Sequence, residues 1–67
     1  MKNRIEELRK EKGYTQQYLG DMLGVSRQTI ISLENGRYNP SLVLAHSIAK
    51  LFDLTIEELF LFEEDEK

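Results

Sequence analysis

The chain has no cysteine. That excludes a disulfide staple and any thiolate metal site, and it fits a reducing compartment. Histidine occurs once, as His46. It stands on the polar side of a helix expected from residue 42 to about 52, with no nucleophile–base pair and no phosphate-cradling glycine loop beside it. Acid–base catalysis is therefore not expected, and a lone surface histidine is the plainer account. One histidine and scattered acids make no coordination shell, so neither metal nor cofactor is expected. No apolar run approaches the ~18 residues of a membrane span, and no signal-peptide pattern is present, which points to a cytoplasmic location. Proline occurs once, at position 40. With 67 residues there is room for one domain. A core of that size supplies about 3–5 kcal/mol. Without a disulfide or metal, the reinforcement is expected to be a second copy of the chain.

What is present is unevenly charged. The net charge is −3, which by itself argues against a polyanionic partner. The distribution reverses that. Residues 1–50 carry eight Lys/Arg and five Asp/Glu, a balance of +3, whereas residues 51–67 carry one Lys and seven acids, a balance of −6. The acids Glu63, Glu64, Asp65 and Glu66 read most simply as a solubilising tail over 63–67, following a single domain over 1–62.

Residues 15–36 are the most informative stretch. Thr15 can cap a helix whose first residue is Gln16. Leu19 and Leu23 share one face of it, and Gly20 between them permits close approach of another helix. Gly24 ends the helix, since glycine takes the left-handed conformation cheaply. Val25 is an apolar plug in the turn. Ser26 caps the next helix, from which Ile30 and Leu33 face inward, and Asn35-Gly36 stops it. The order of cap, glycine, plug and cap describes a helix-turn-helix. The alternative is an αα-hairpin used only for packing.

Around it, Asn3 with Glu6 resembles a capping box opening a helix from about Arg4 to Lys12, with Ile5 and Leu8 inward and Gly13 at its end. Pro40 forbids continuation of the third helix. Ser41 caps a fourth, with an apolar stripe of Leu42, Ala45, Ile48, Ala49 and Phe52. Thr55 with Glu58 is a second capping-box candidate for a short fifth helix ending near Leu59. The expected fold is all-α, five helices in one compact domain. Leu54, Leu59 and Phe60 complete the core. Leu51, Ile56, Leu61 and Phe62 exceed what this core can bury and are assigned to a dimer interface. The alternation around Leu61 permits a short C-terminal strand there.

On the third helix, Arg27, Gln28 and Ser32 share a face. Arginine suits guanine O6 and N7, and glutamine suits adenine N6 and N7. Thr29 can offer its methyl to thymine. These four are the base-contact candidates for a helix in the major groove. Gln16, at the start of the second helix, and Ser26, Asn35, Arg37, Tyr38 and Asn39 are phosphate candidates. The alternative for Arg27 and Gln28 is a solvated helix face.

The residues Leu8-Arg9, Thr15-Gln16, Leu19-Gly20, Leu23-Gly24-Val25-Ser26, Ile30, Leu33-Glu34-Asn35-Gly36, Pro40-Ser41-Leu42, Ala45, Ile48-Ala49 and Leu59-Phe60 give the chain a resemblance to the lambda-repressor/Cro-like, or Xre, helix-turn-helix family. Residues 4–60 are covered, and the chain looks most like the small stand-alone dimeric repressors of that family, of the cytolysin-repressor type. The resemblance implies a sequence-specific transcriptional regulator: a repressor bound to a palindromic operator as a homodimer, with no small-molecule ligand evident. It also implies a short β-ribbon made by the chain ends, and a salt bridge between Arg9 and Glu34 that sets the angle of the third helix. On that reading Glu34→Ala weakens DNA binding without removing a DNA contact. Two unrelated surface charges are the alternative for that pair. Gly20 departs from the family, where alanine is commoner, and glycine loosens a helix by roughly 1 kcal/mol. The competing function is a protein-interaction module, an antitoxin or adaptor, using the apolar C-terminal patch.

Overall fold

A computed structural model describes residues 2–61. Among them lie α1 (Ile5–Glu11), α2 (Gln16–Leu23), α3 (Arg27–Glu34), α4 (Leu42–Leu51) and α5 (Ile56–Leu59). Four of the five begin where the chain supplies a hydroxyl to the unpaired N–H groups of the first turn. Thr15 accepts from Tyr18, Ser26 from Thr29, Ser41 from Leu44 and Thr55 from Glu58. At Thr55 the bond is returned, since Glu58 accepts from the Thr55 N–H at 2.9 Å, completing the expected capping box.

The first helix departs from its expected start. No side chain caps α1 from its N-cap residue, Arg4. Asn3 does not form a capping box with Glu6. Its Oδ1 accepts from the Ile5 N–H at 3.0 Å, while its Nδ2 donates to the Leu33 carbonyl at 2.8 Å. Glu6 instead pairs with Lys10 at 3.2 Å on the outer face. Local spacing finds a capping residue here, but a partner thirty positions away has claimed its amide.

Every helix sends a fully buried side chain inward: Ile5, Leu19, Ile30, Leu33, Ile48 and Leu59. Truncating any of these to alanine costs about 2–5 kcal/mol, because a small domain cannot collapse around the void. Ala45, Ala49 and Phe52 line the inner side of α4 as expected. Leu42 does not. It is 77% exposed, and its neighbour Val43 is 76% exposed. Position 42 has the right helical spacing, but it is the first residue of α4 and projects past the end of the core, where the half-buried Leu44 packs in its place.

The turn between α2 and α3 is tight. Gly24 takes φ +73°, and the Val25 N–H closes on the Gly20 carbonyl at 2.9 Å. A Cβ at Gly20 would lie 2.8 Å from the Val25 carbonyl oxygen, nearer than side-chain carbons approach backbone oxygen. Glycine here lets the turn close further than alanine permits. Asp53, just after α4, holds φ +58° without being glycine, a conformation that costs an L-residue of order 1 kcal/mol.

Among the described residues the N- and C-terminal segments meet through a single bridge rather than a ribbon. Among the described residues one antiparallel bridge joins Asn3 and Phe60. It is flanked by bonds from the Arg4 N–H to the Leu59 carbonyl and from the Leu61 N–H to the Lys2 carbonyl, both 2.9 Å. Lys2 and Asn3 carry no apolar side chain to extend the pairing onto a core. Phe62 and the acidic residues 63–67 lie outside the described residues.

Candidate nucleic-acid interface

The start of α3 is open. Arg27 and Gln28 are exposed, and Ser32, one turn beyond Gln28, is half-buried on the same side. The backbone beneath them is fixed: the Ser26 hydroxyl accepts from the Thr29 N–H at 3.1 Å and lies 3.0 Å from the Thr29 hydroxyl. In that mutual bond one hydroxyl donates and the other accepts, so one O–H hydrogen stays available, and the Thr29 methyl takes no part in it. Arg27 and Gln28 stand one and two residues into the helix, where side chains of this length reach furthest from its end.

The other end of α3 is held from two sides. The Arg9 guanidinium donates through Nε to Glu34 at 2.7 Å and through Nη2 at 3.4 Å, and its Nη1 donates to the Tyr14 carbonyl at 2.9 Å. The side chains are 10% and 4% exposed respectively, so the pair is buried, as the Arg9–Glu34 bridge was expected to be. Its value is geometric: buried pairs roughly balance their desolvation cost, but they enforce one arrangement of the elements they join. On the opposite side, the Leu33 carbonyl accepts from both Asn3 Nδ2 at 2.8 Å and the Gly36 N–H at 3.0 Å. Both of its lone pairs are thus in use.

Gln16 belongs to this held end. Its Nε2 donates to Glu34 Oε1 at 3.1 Å. The sequence nominated Gln16 for phosphate from its place at a helix start, and the family resemblance nominated Glu34 for Arg9, but neither connected the two.

A charge pattern at the helix starts adds a signal that residue-by-residue reading missed. The first turns of α1 and α5 carry acids, Glu6 with Glu7 and Glu57 with Glu58, whereas α2, α3 and α4 have none. Acids neutralise the partial positive charge of a helix start, so the starts of α2, α3 and α4 keep theirs unopposed by acids of their own first turns. Beyond α3, Asn35, Arg37, Tyr38 and Asn39 form an exposed run.

The apolar residues assigned to a dimer interface are less exposed than the sequence suggests. Leu51 and Ile56 are half-buried against their own core, and Leu61 is 37% exposed. Leu42 and Val43 present more apolar surface than any of these. Among the described residues no cluster of three or more His, Asp or Glu is placed to hold a metal ion, and no helix is long and apolar enough to cross a membrane.

Comparison with known proteins follows the same outline. The helix-turn-helix family model matches residues 5–59. An HTH-type transcriptional regulator of Methanocaldococcus jannaschii is 52% identical over 98% of this chain and 100% of its own length. The HTH-type transcriptional regulator YgzD of Bacillus subtilis is 48% identical, covering 97% of this chain and 98% of itself. Among solved structures, the restriction-modification controller protein C.AhdI of Aeromonas hydrophila superposes with a TM-score of 0.73 at 37% identity, over 85% of this chain and 83% of that one.

Proposed function

Given that the chain belongs to the Xre-like helix-turn-helix family of DNA-binding transcriptional regulators, we propose that it is a cytoplasmic repressor that binds a palindromic operator as a homodimer, with α3 in the major groove. The observation that carries this reading is the open start of α3: Arg27 and Gln28 exposed above a capped first turn that contains no acid. Arg27, Gln28, Ser32 and the Thr29 methyl meet base edges. Gln16, Ser26, Asn35, Arg37, Tyr38 and Asn39 set the register on phosphates. Two-fold symmetry places the half-sites about 34 Å apart. The domain of residues 1–62 carries this activity, and the acidic tail 63–67 stays away from the duplex. Repression follows from occupancy, by keeping polymerase from the promoter.

The dimer seam in this reading draws on Leu51, Ile56, Leu61 and Phe62, and the exposed Leu42 and Val43 offer further apolar cover. That same pair favours a second reading, a module that docks on another protein. The two separate on salt. Neutralising Z phosphates makes log K fall with log salt at about −0.9Z, a steep slope that a mainly apolar protein contact lacks.

Selection of duplexes from a random pool tests the proposal. Recovery of a palindrome in which Arg27→Ala and Gln28→Ala each relax one symmetric pair of positions supports it. Recovery of no sequence preference overturns base reading, and a single chain bound per duplex at saturating protein, on one unrepeated half-site, overturns the homodimer.

A further inference from the structure

Resting on the reading of Gln16 as a phosphate contact, we propose that Glu34 is a positioning residue for that contact, acting through the Gln16 side chain rather than only through the angle of α3.

Three observations carry this. First, Glu34 Oε1 accepts from Gln16 Nε2 at 3.1 Å, so the amide is already oriented before any DNA arrives. Second, the acceptor is itself immobilised: Arg9 holds the carboxylate through two nitrogens and is held in turn at the Tyr14 carbonyl. With the Glu34 side chain 4% exposed and the Arg9 side chain 10% exposed, the carboxylate has no room to follow a mobile glutamine. Third, an amide nitrogen carries two hydrogens in one plane. Fixing one of them on Glu34 fixes the direction of the other. Gln16 is the first residue of α2, whose first turn lacks acids, so the residue carrying that second N–H belongs to the positive end of the helix.

The arrangement also handles a conflict of charge. A bare carboxylate close to a phosphate repels it. Here the Arg9 guanidinium neutralises Glu34, and the uncharged amide of the half-buried Gln16 is bonded to the carboxylate. A phosphate meets a neutral donor whose orientation is set by a charge it does not confront. Gln28 provides the internal contrast, an exposed glutamine on α3.

The test is a double-mutant cycle on the full chain, with a random-sequence duplex at low salt as the probe, since a phosphate contact needs no particular sequence. Glu34→Gln presents an N–H₂ or a neutral oxygen where the charged acceptor stood. Glu34→Asp keeps the charge for Arg9 but withdraws it from Gln16 by one methylene. We expect each to weaken binding about tenfold when Gln16 is present and about threefold or less in the Gln16→Met background, where only the effect on the α3 angle remains. Equal losses in both backgrounds overturn the proposal and return Glu34 to a purely structural role. Wild-type protein that binds no duplex defeats the functional reading itself, whereas wild-type binding that Gln16→Met leaves unchanged overturns only the phosphate contact and this inference with it. Should both Glu34 variants fail to fold, side-chain ¹⁵N relaxation on the wild-type chain decides. The Gln16 amide is expected to be markedly more ordered than that of Gln28, and equal mobility of the two overturns the proposal.

Discussion

The two ends of α3 obey different rules. At its start, Arg27 and Gln28 stand exposed, and the contacts that fix the backbone, Ser26 with Thr29, are local and within one turn. At its end, Leu33 is fully buried and Glu34 nearly so, and the contacts come from α1, from α2 and from the N-terminal segment before α1. On the proposed reading α3 needs both. Side chains that meet bases must be free to leave water for DNA, whereas the rod carrying them must not turn. The chain puts freedom at one end and long-range restraint at the other, so substitutions at the two ends should separate affinity from stability.

The largest expected effect is at the held end. Arg9→Met leaves Glu34 buried and unpaired, which costs about 3–5 kcal/mol, as much as a core of this size supplies. Urea denaturation followed by circular dichroism should find this variant largely unfolded without denaturant. The double change Arg9→Met with Glu34→Leu should recover most of that loss, because apolar replacement of a whole buried pair is nearly neutral, yet bind DNA more weakly than wild type. Full recovery of both properties would erase the distinction between the ends. For Glu34→Ala, burial adds a loss of stability to the weakened binding expected from the sequence.

Next in size is the open end. Arg27→Ala should remove about 1–3 kcal/mol of discrimination at one base position and change stability by less than about 0.5 kcal/mol. Competition binding with substituted duplexes, run beside thermal melting, reads both quantities. Between the two extremes, Ser26→Ala should cost about 1 kcal/mol of stability through the lost cap, and hydrogen exchange should show the loss concentrated in the first turn of α3. The smallest expected effect lies away from α3. Asp53→Gly relieves the positive φ and should raise stability by up to about 1 kcal/mol, with DNA affinity unchanged.

The open end was legible in the sequence and the held end only in part, for a physical reason. Caps, glycine stops and side-chain periodicity are encoded within four residues, so Thr15, Ser26, Ser41, Thr55 and Gly24 announce α2 to α5 without any knowledge of the fold. The bridge between Arg9 and Glu34 was foreseen through family resemblance, not spacing. The link from Gln16 to Glu34 joins positions eighteen apart and leaves no local trace. Asn3 shows the same limit in reverse, since its short-range signature was plausible and the Leu33 carbonyl outcompeted it. Leu42 was misplaced because a helical stripe says which side faces in, but not where the interior stops.

The joining of the chain's extremities beside α3 has a practical consequence. Asn3 grips the Leu33 carbonyl, and its immediate neighbours pair with Leu59 and Leu61. Tension applied at Lys2 or Leu61 is therefore delivered to the last turn of α3 within a residue or two. A purification tag, dye or surface tether attached there would pull on the rod whose orientation matters most, whereas the exposed Lys50 on the outer side of α4 offers an anchoring point remote from that linkage.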